Sequence, residues 1–352
     1  MMVYSNLCKL GDSFAPPTLE PNSTLSREAM RYQPALVFDI GLHKGEDTNF
    51  YLGRAASRAE TNMNLILIST TDMKGGRADV RDRMLQALGE SERTLRGDRM
   101  VLALLLQNCP PEELRAFAMA LPAFVRPVAV AGRVPLSTAR NILLRQLATD
   151  GAIATDTLVA FPDDDCWYPS GFLVQVAILF ARNPELDLWF CRYASNPSQA
   201  RFAEAEPGIA RPAEIVRNAS SNTIFMRGRV VNAIGEFDEG LGVGTPMGGA
   251  EDLDYVLRAG RVARRTAYCD AALVGHRDKS RQLLARYYAS SLLVLARHAR
   301  NGISREFHRK IAVGIYYVLR RRLPLAEFGR ALRRASTERR NAKSPVALNF
   351  DR

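Results

Sequence analysis

Two groups of carboxylates pose the chemical question. In "FPDDDCWYP" (161–169), Asp163, Asp164 and Asp165 stand side by side behind the apolar run "TLVAF", where their mutual repulsion calls for a cation. In an extended segment Asp163 and Asp165 project to one side and Asp164 to the other, so the outer pair can share a ligand. A hard divalent ion, Mg2+ or Mn2+, suits two carboxylates acting together with phosphate oxygens. A solvated acidic turn is the plainer alternative. The second group is "GGAEDLDYVLRAG" (248–260). There Glu251, Asp254 and Arg258 fall on one helical face, and Asp254 with Arg258 reads as an i,i+4 ion pair that braces the helix. Asp252 points elsewhere and, beside a glycine-rich loop, is free to face a cleft. Glu251 and Asp252 also fit as N-terminal charge complementing a helix dipole.

The elements that must position these acids follow from the hydrophobic pattern. "LILISTT", "MVLALLLQN", "VRPVAVAG" and "TLVAF" read as strands, separated by helical stretches such as "PEELRAFAMAL" and "TARNILLRQLATDG". Strands and helices alternating at this spacing predict an α/β fold: a mostly parallel, Rossmann-like sheet with helices on both faces. Ligands of such sheets bind beyond the carboxyl ends of the strands, which is where the aspartates fall. Further on, "SGFLVQVAILFARNP" reads as a helix and "LDLWFCRY", "SSNTIFMR" and "AYCDAALVGH" as strands, around a polar stretch at 194–219 that carries no readable signature.

The order "LILISTT", "STARN", "FPDDDCWYP", "FDEGLGVGTPMGGAEDLDYVLRAG", "VGH" resembles family-2 glycosyltransferases of the GT-A fold over about residues 62 to 280. The resemblance implies inverting transfer of a sugar from a nucleotide-sugar donor to a saccharide or lipid-linked acceptor. In that pattern Asp163 and Asp165 match the Asp-x-Asp motif that contacts the donor ribose and the diphosphate-bound metal, with Asp164 inside the same donor-binding stretch. Asp252 matches the general base, and Glu251 is the second choice. His276, which as a lone histidine after a strand reads most simply as structural, matches a further metal ligand. Arg140 and Asn141 match an Arg-Asn pair near the donor; their alternative is polar packing at a helix N-terminus. Thr70 and Asp72, just past the first strand, match positions near the nucleotide base or ribose. Trp167 fits equally as packing for the acidic loop and as a sugar-stacking ring.

"VFDIGLHKGEDTNFYL" (37–52) resembles the start of FkbM-type methyltransferases at Asp39, Gly41 and Gly45. About 20 residues cannot build an S-adenosylmethionine pocket, which needs several βαβ units, so the fragment is expected to be a remnant. The chain thus divides into an irregular segment at 1–61, a catalytic domain at 62–280 and a basic helical extension at 281–352.

Charge is unevenly placed. Residues 281–352 hold 17 Lys and Arg against four Asp and Glu, so the net +11 of the chain sits entirely in this tail. Its amphipathic, arginine-flanked helices are expected either to lie on an anionic membrane surface or to pack their apolar faces on the catalytic domain. Nucleic acid is not expected as a partner, because no binding motif accompanies the charge. Five scattered cysteines without C-x-x-C spacing argue against a disulfide framework or zinc knuckle. No apolar run is long enough to span a bilayer, and the N-terminus lacks a leader pattern. The expected location is the cytoplasm, including the inner membrane face. A methyltransferase and a non-catalytic membrane- or nucleic-acid-binding protein are the competing classes.

Overall fold

The structure, a computed structural model, describes residues 63–95, 99–203, 205–277 and 287–341. The methyltransferase-like fragment with Asp39, Gly41 and Gly45 lies outside the described residues, as does Cys8.

Eight strands form one sheet: β1 (Asn64–Asp72), β2 (Arg99–Gln107), β3 (Val125–Val130), β4 (Leu158–Ala160), β5 (Leu186–Ala194), β6 (Gly208–Ile209), β7 (Ile224–Arg227) and β8 (Arg265–Gly275). Their spatial order is β3-β2-β1-β4-β7-β5-β8-β6. β1 pairs in parallel with β2 and β4, and β5 in parallel with β8. β7 runs antiparallel to both β4 and β5, which sets β5 and β8 in the same direction as β1 and β4. The carboxyl ends of β1, β4, β5 and β8 therefore open on one edge.

Ten α-helices accompany the sheet among the described residues: α1 (Ala78–Thr94), α2 (Pro111–Met119), α3 (Leu136–Thr149), α4 (Phe172–Arg182), α5 (Pro212–Asn218), α6 (Gly228–Ile234), α7 (Glu251–Val262), α8 (Tyr288–His298), α9 (Ser304–Leu319) and α10 (Leu325–Asn341). Alternation along β1 explains why helices cover both faces. Leu65 and Leu67 face a core shared with Met84 and Leu88 of α1 and with Phe172, Val176 and Phe180 of α4. Ile66 and Ile68 face the opposite core, with Leu143 and Leu147 of α3 and with α7. In β5 the register shifts between Leu186 and Leu188, a bulge that puts these two residues on opposite faces despite their even spacing.

The C-terminal helices are part of this same core. Tyr288, Leu292 and Leu295 of α8, Phe307 of α9, and Phe328 and Ala331 of α10 belong to the cluster that includes Ile68, Val159 and Tyr255. Arg297 of α8 reaches Asp254 of α7 (3.1 Å), Asp238 (2.8 Å) and Glu338 of α10 (2.7 Å). The packed arrangement expected for the tail is the one found for its inward faces. α10 continues to Asn341, with Ala331 and Ala335 buried against the core.

Candidate active site

The acidic turn follows β4 directly. Cys166 N donates to the Asp163 carbonyl at 3.0 Å, closing a turn over 163–166, so the segment is not extended. The alternation expected of a strand is thus not what sorts the three carboxylates. Asp164 turns inward and is held by Arg77, whose Nε lies 2.9 and 3.0 Å from its two oxygens. Asp163 and Asp165 stay together through another element: Trp167 pairs with Gly275 at the end of β8, with backbone bonds of 3.0 and 2.8 Å. Only glycine fits at 275, because a Cβ there would penetrate the Trp167 indole. Trp167 thus packs against the end of β8 and ties the acidic turn to it.

This pairing delivers His276 to the aspartates. One ligand atom each from Asp163, Asp165 and His276 lies within 4.8 Å of the others. His276 Nδ1 donates to the Arg277 carbonyl at 2.9 Å, leaving Nε2 as the ring atom turned to the acids, 3.2 Å from Asp165 Oδ1 and 3.9 Å from Asp163 Oδ2. Both Nε2 and Asp165 Oδ1 are buried and make no well-aligned hydrogen bond. Facing each other at 3.2 Å, these two atoms are joined either by a proton on the imidazole, which the neighbouring aspartates favour, or by a cation in its place, and an imidazole oriented through its second nitrogen is the usual form of a metal-ligating histidine. The set fits Mg2+ or Mn2+, the borderline nitrogen favouring Mn2+. Burial alone would raise the Asp165 carboxyl. His276, Arg277 (3.2 Å) and Arg77 (3.3 Å) instead hold it well below the usual carboxylate range.

Asp252 arrives from the opposite direction, at the first turn of α7. Its Oδ1 accepts from Arg140 Nη1 at 2.9 Å and its Oδ2 from the Ser221 amide at 2.9 Å. Arg140 Nη2 also reaches Asp163 Oδ1 at 3.1 Å. The fully buried guanidinium thus lies between the two acid groups, and desolvation is offset by Asp252 and Asp163. The side chains of Asp163 and Asp252 keep 32% and 22% of their surface exposed, so both can meet a ligand from solvent. Glu251 is buried instead. Burial and the neighbouring Asp252 push its carboxyl above the ordinary range.

The glycine-rich loop before α7 owes its path to α3. Ser137 Oγ donates to the Leu241 carbonyl at 2.7 Å and Leu136 N to Val243 at 2.9 Å. Gly242 has φ +103°, and a Cβ there would meet Ser137 Oγ at 2.8 Å and Glu251 at 3.3 Å. Asn141 spends its amide on the same loop, donating to the Phe237 carbonyl and Glu239 and accepting from Phe237 N. Its position is that of a brace for the loop, one step behind Arg140. At the end of β1, Thr70 bonds to the Leu105 carbonyl (3.2 Å) and to Gln107 (2.8 Å). Asp72 accepts from Asn108 (2.7 Å) and the Lys74 amide (3.0 Å), and these bonds, with Asn108 foremost, lower its carboxyl. Both lie on the edge where the carboxyl ends of the parallel strands open.

Four further residues share the site without having been singled out. Asn222 accepts from the Asp163 amide (2.7 Å) and donates to Asp163 Oδ2 (3.0 Å), while its neighbour Ser221 holds Asp252. Arg77 and Arg277 flank Asp164 and Asp165. The "SSN" ahead of β7 was visible as a polar start to an apolar strand, but nothing local indicates its partners.

No family model matches the chain, and no curated protein sequence matches it. Among solved structures, it is similar to S. aureus TarS 1–349 (16% identity, 70% of this chain and 71% of that one, TM-score 0.48). It is also similar to the same protein in complex with UDP-GlcNAc (15%, 70% and 72%, TM-score 0.49). GalNAc-T7 with UDP, GalNAc and Mn2+ is a third (11%, 62% and 44%, TM-score 0.43). The chain spans 43% of the longer S. aureus TarS.

Proposed function

We propose that this chain is a metal-dependent, inverting glycosyltransferase that moves a sugar from a nucleotide-sugar donor to a hydroxyl of a saccharide or lipid-linked acceptor in cell-surface polysaccharide or glycolipid assembly. The observation that carries the reading is the convergence of Asp163, Asp165 and His276 with Asp252 around one buried arginine.

Asp163, Asp165 and His276 would hold Mg2+ or Mn2+, which when bound supplies positive charge for the diphosphate that leaves. Asp163, fixed by Asn222 on one side and Arg140 on the other, orients the donor. Thr70 and Asp72, at the end of β1, suit the nucleoside. Asp252 accepts the proton of the acceptor hydroxyl as its oxygen attacks the anomeric carbon from the face opposite the diphosphate, which inverts that centre. Arg140 and the Ser221 amide hold the carboxylate in one orientation for that transfer. Buried Glu251 is out of reach of an acceptor and its bulk supports the loop at Gly242.

A second reading rests on Arg77 and Arg277, both within 3.3 Å of Asp165. These cations already neutralise the turn, and in a metal-independent enzyme they would bind the diphosphate directly. Donor hydrolysis with a panel of nucleotide sugars, in Mn2+ and in excess chelator, separates the two. Turnover confined to Mn2+, with an inverted product anomer, supports the first reading. Turnover undiminished by chelator supports the second, and no turnover with any donor contradicts both.

A further inference from the structure

α9 shows two faces. Phe307, Gly314 and, less completely, Tyr317 and Val318 turn to the core, and Gly314 lets the helix close on Tyr288 and Phe328. The outer face carries Arg305, His308, Arg309, Ala312, Ile315, Tyr316 and Leu319, all exposed. At 100° per residue these seven fall within a stripe of roughly 120°. The middle of the stripe is apolar: Ile315 and Tyr316 are each 49% exposed, Leu319 76%, and Leu325 across the turn to α10 is 71% exposed. Its two ends are basic. Arg305, His308 and Arg309 precede it, and Arg320, Arg321 and Arg322 follow it, all exposed.

We propose that this outer face of α9, with the 320–325 turn, is an interfacial surface that docks the protein on an anionic lipid bilayer. An exposed apolar strip costs free energy in water, and clusters of large aliphatic residues at one place mark a contact surface. The charge around this strip selects the occupant. None of Arg320, Arg321 and Arg322 pairs with an acid among the described residues, and Glu327 is the one exposed acid in the turn region. Arginine stems beside an apolar strip can snorkel to phosphate headgroups while Leu319 and Leu325 enter the acyl boundary. No described helix is long and apolar enough to cross a membrane, so the helix would lie in the surface plane. The inference stands apart from the glycosyltransferase reading, since it uses none of the site residues.

The test is co-sedimentation of the full chain with vesicles of equimolar phosphatidylglycerol and phosphatidylcholine, against phosphatidylcholine alone. Binding is expected only to the anionic vesicles and should weaken as salt rises. Arg320→Gln/Arg321→Gln/Arg322→Gln should lose roughly 100-fold in binding. Ile315→Ser/Leu319→Ser should lose about 10-fold or more. Both variants change exposed side chains, and unaltered thermal unfolding would show that the fold persists. Equal binding to neutral vesicles, no binding to either, or full binding by both variants overturns the proposal. So does a wild-type dimer that Ile315→Ser/Leu319→Ser turns into a monomer, which would give the face to a second copy of the chain.

Discussion

Asp163 and Asp252 share one guanidinium: Arg140 bonds the first at 3.1 Å and the second at 2.9 Å from a wholly buried position. The acidic turn after β4 and the carboxylate at the head of α7 are thereby set at a fixed separation by a residue of α3. Removing one partner of a buried ion pair leaves uncompensated charge and typically costs about 3–5 kcal/mol. Arg140→Met is accordingly expected to lower stability by about that amount in urea unfolding. Arg140→Lys keeps the charge but lacks the planar fork that spans both carboxylates, so it should fold with much reduced turnover. A fully active Arg140→Met protein would show that the bridge positions nothing.

Gly275 is where β8 hands His276 to the acidic turn. Any side chain at 275 collides with Trp167 and must push the 163–167 turn away from the end of β8. Gly275→Ala is expected to weaken Mn2+ binding at least about 10-fold by calorimetry, comparable to loss of an outer-shell partner. His276→Ala, which removes the proposed ligand itself, should weaken it further. Unchanged Mn2+ affinity in both proteins would remove the metal from the account.

The sheet and its two helical layers were legible from the alternation of apolar runs, because buried parallel strands and amphipathic helices write their periods directly into sequence. Both acid groups were legible too, as was the Asp254–Arg258 pair, observed at 2.8 Å. What sequence could not show is how Asp163 and Asp165 come together. The expected alternation is absent, and a turn plus a backbone bridge to Gly275 takes its place, a long-range contact without local signature. Asn222, Ser221 and Arg77 escaped notice for the same reason. Short α5 was hidden inside the stretch read as polar, and α6 between two assigned stretches; in both a few buried residues such as Ile215 and Val231 decide the conformation.

Asp254 offers a test of how the C-terminal helices are fastened. It accepts from Arg258, Arg297 and His298, and, although burial alone would raise it, these donors hold its carboxyl well below the ordinary range. Burial keeps His298 below its ordinary value, with Nε2 donating to Asp254 and Nδ1 accepting from Arg261. Both groups titrate lower in the folded state than in the unfolded chain. Each therefore adds stability above its unfolded value, about 6.5 for histidine and 3.9 for aspartate, and loses it as pH falls through the folded value. Asp254→Asn should be less stable than wild type by about 3–5 kcal/mol near neutral pH, with the gap closing below about pH 3.9. Urea midpoints measured across that range check it; a gap independent of pH would mean that the carboxylate charge is not what fastens α8 to α7.

The most direct test separates the two acids by what each is asked to do. Calorimetry of UDP and other nucleoside diphosphates with Mn2+, paired with turnover of the best donor, should be run on wild type, Asp165→Ala and Asp252→Asn. The account predicts that Asp165→Ala loses metal-dependent nucleotide binding, whereas Asp252→Asn binds normally and loses turnover by about 10²–10⁴-fold. Nucleotide binding and turnover that survive in both variants would contradict it.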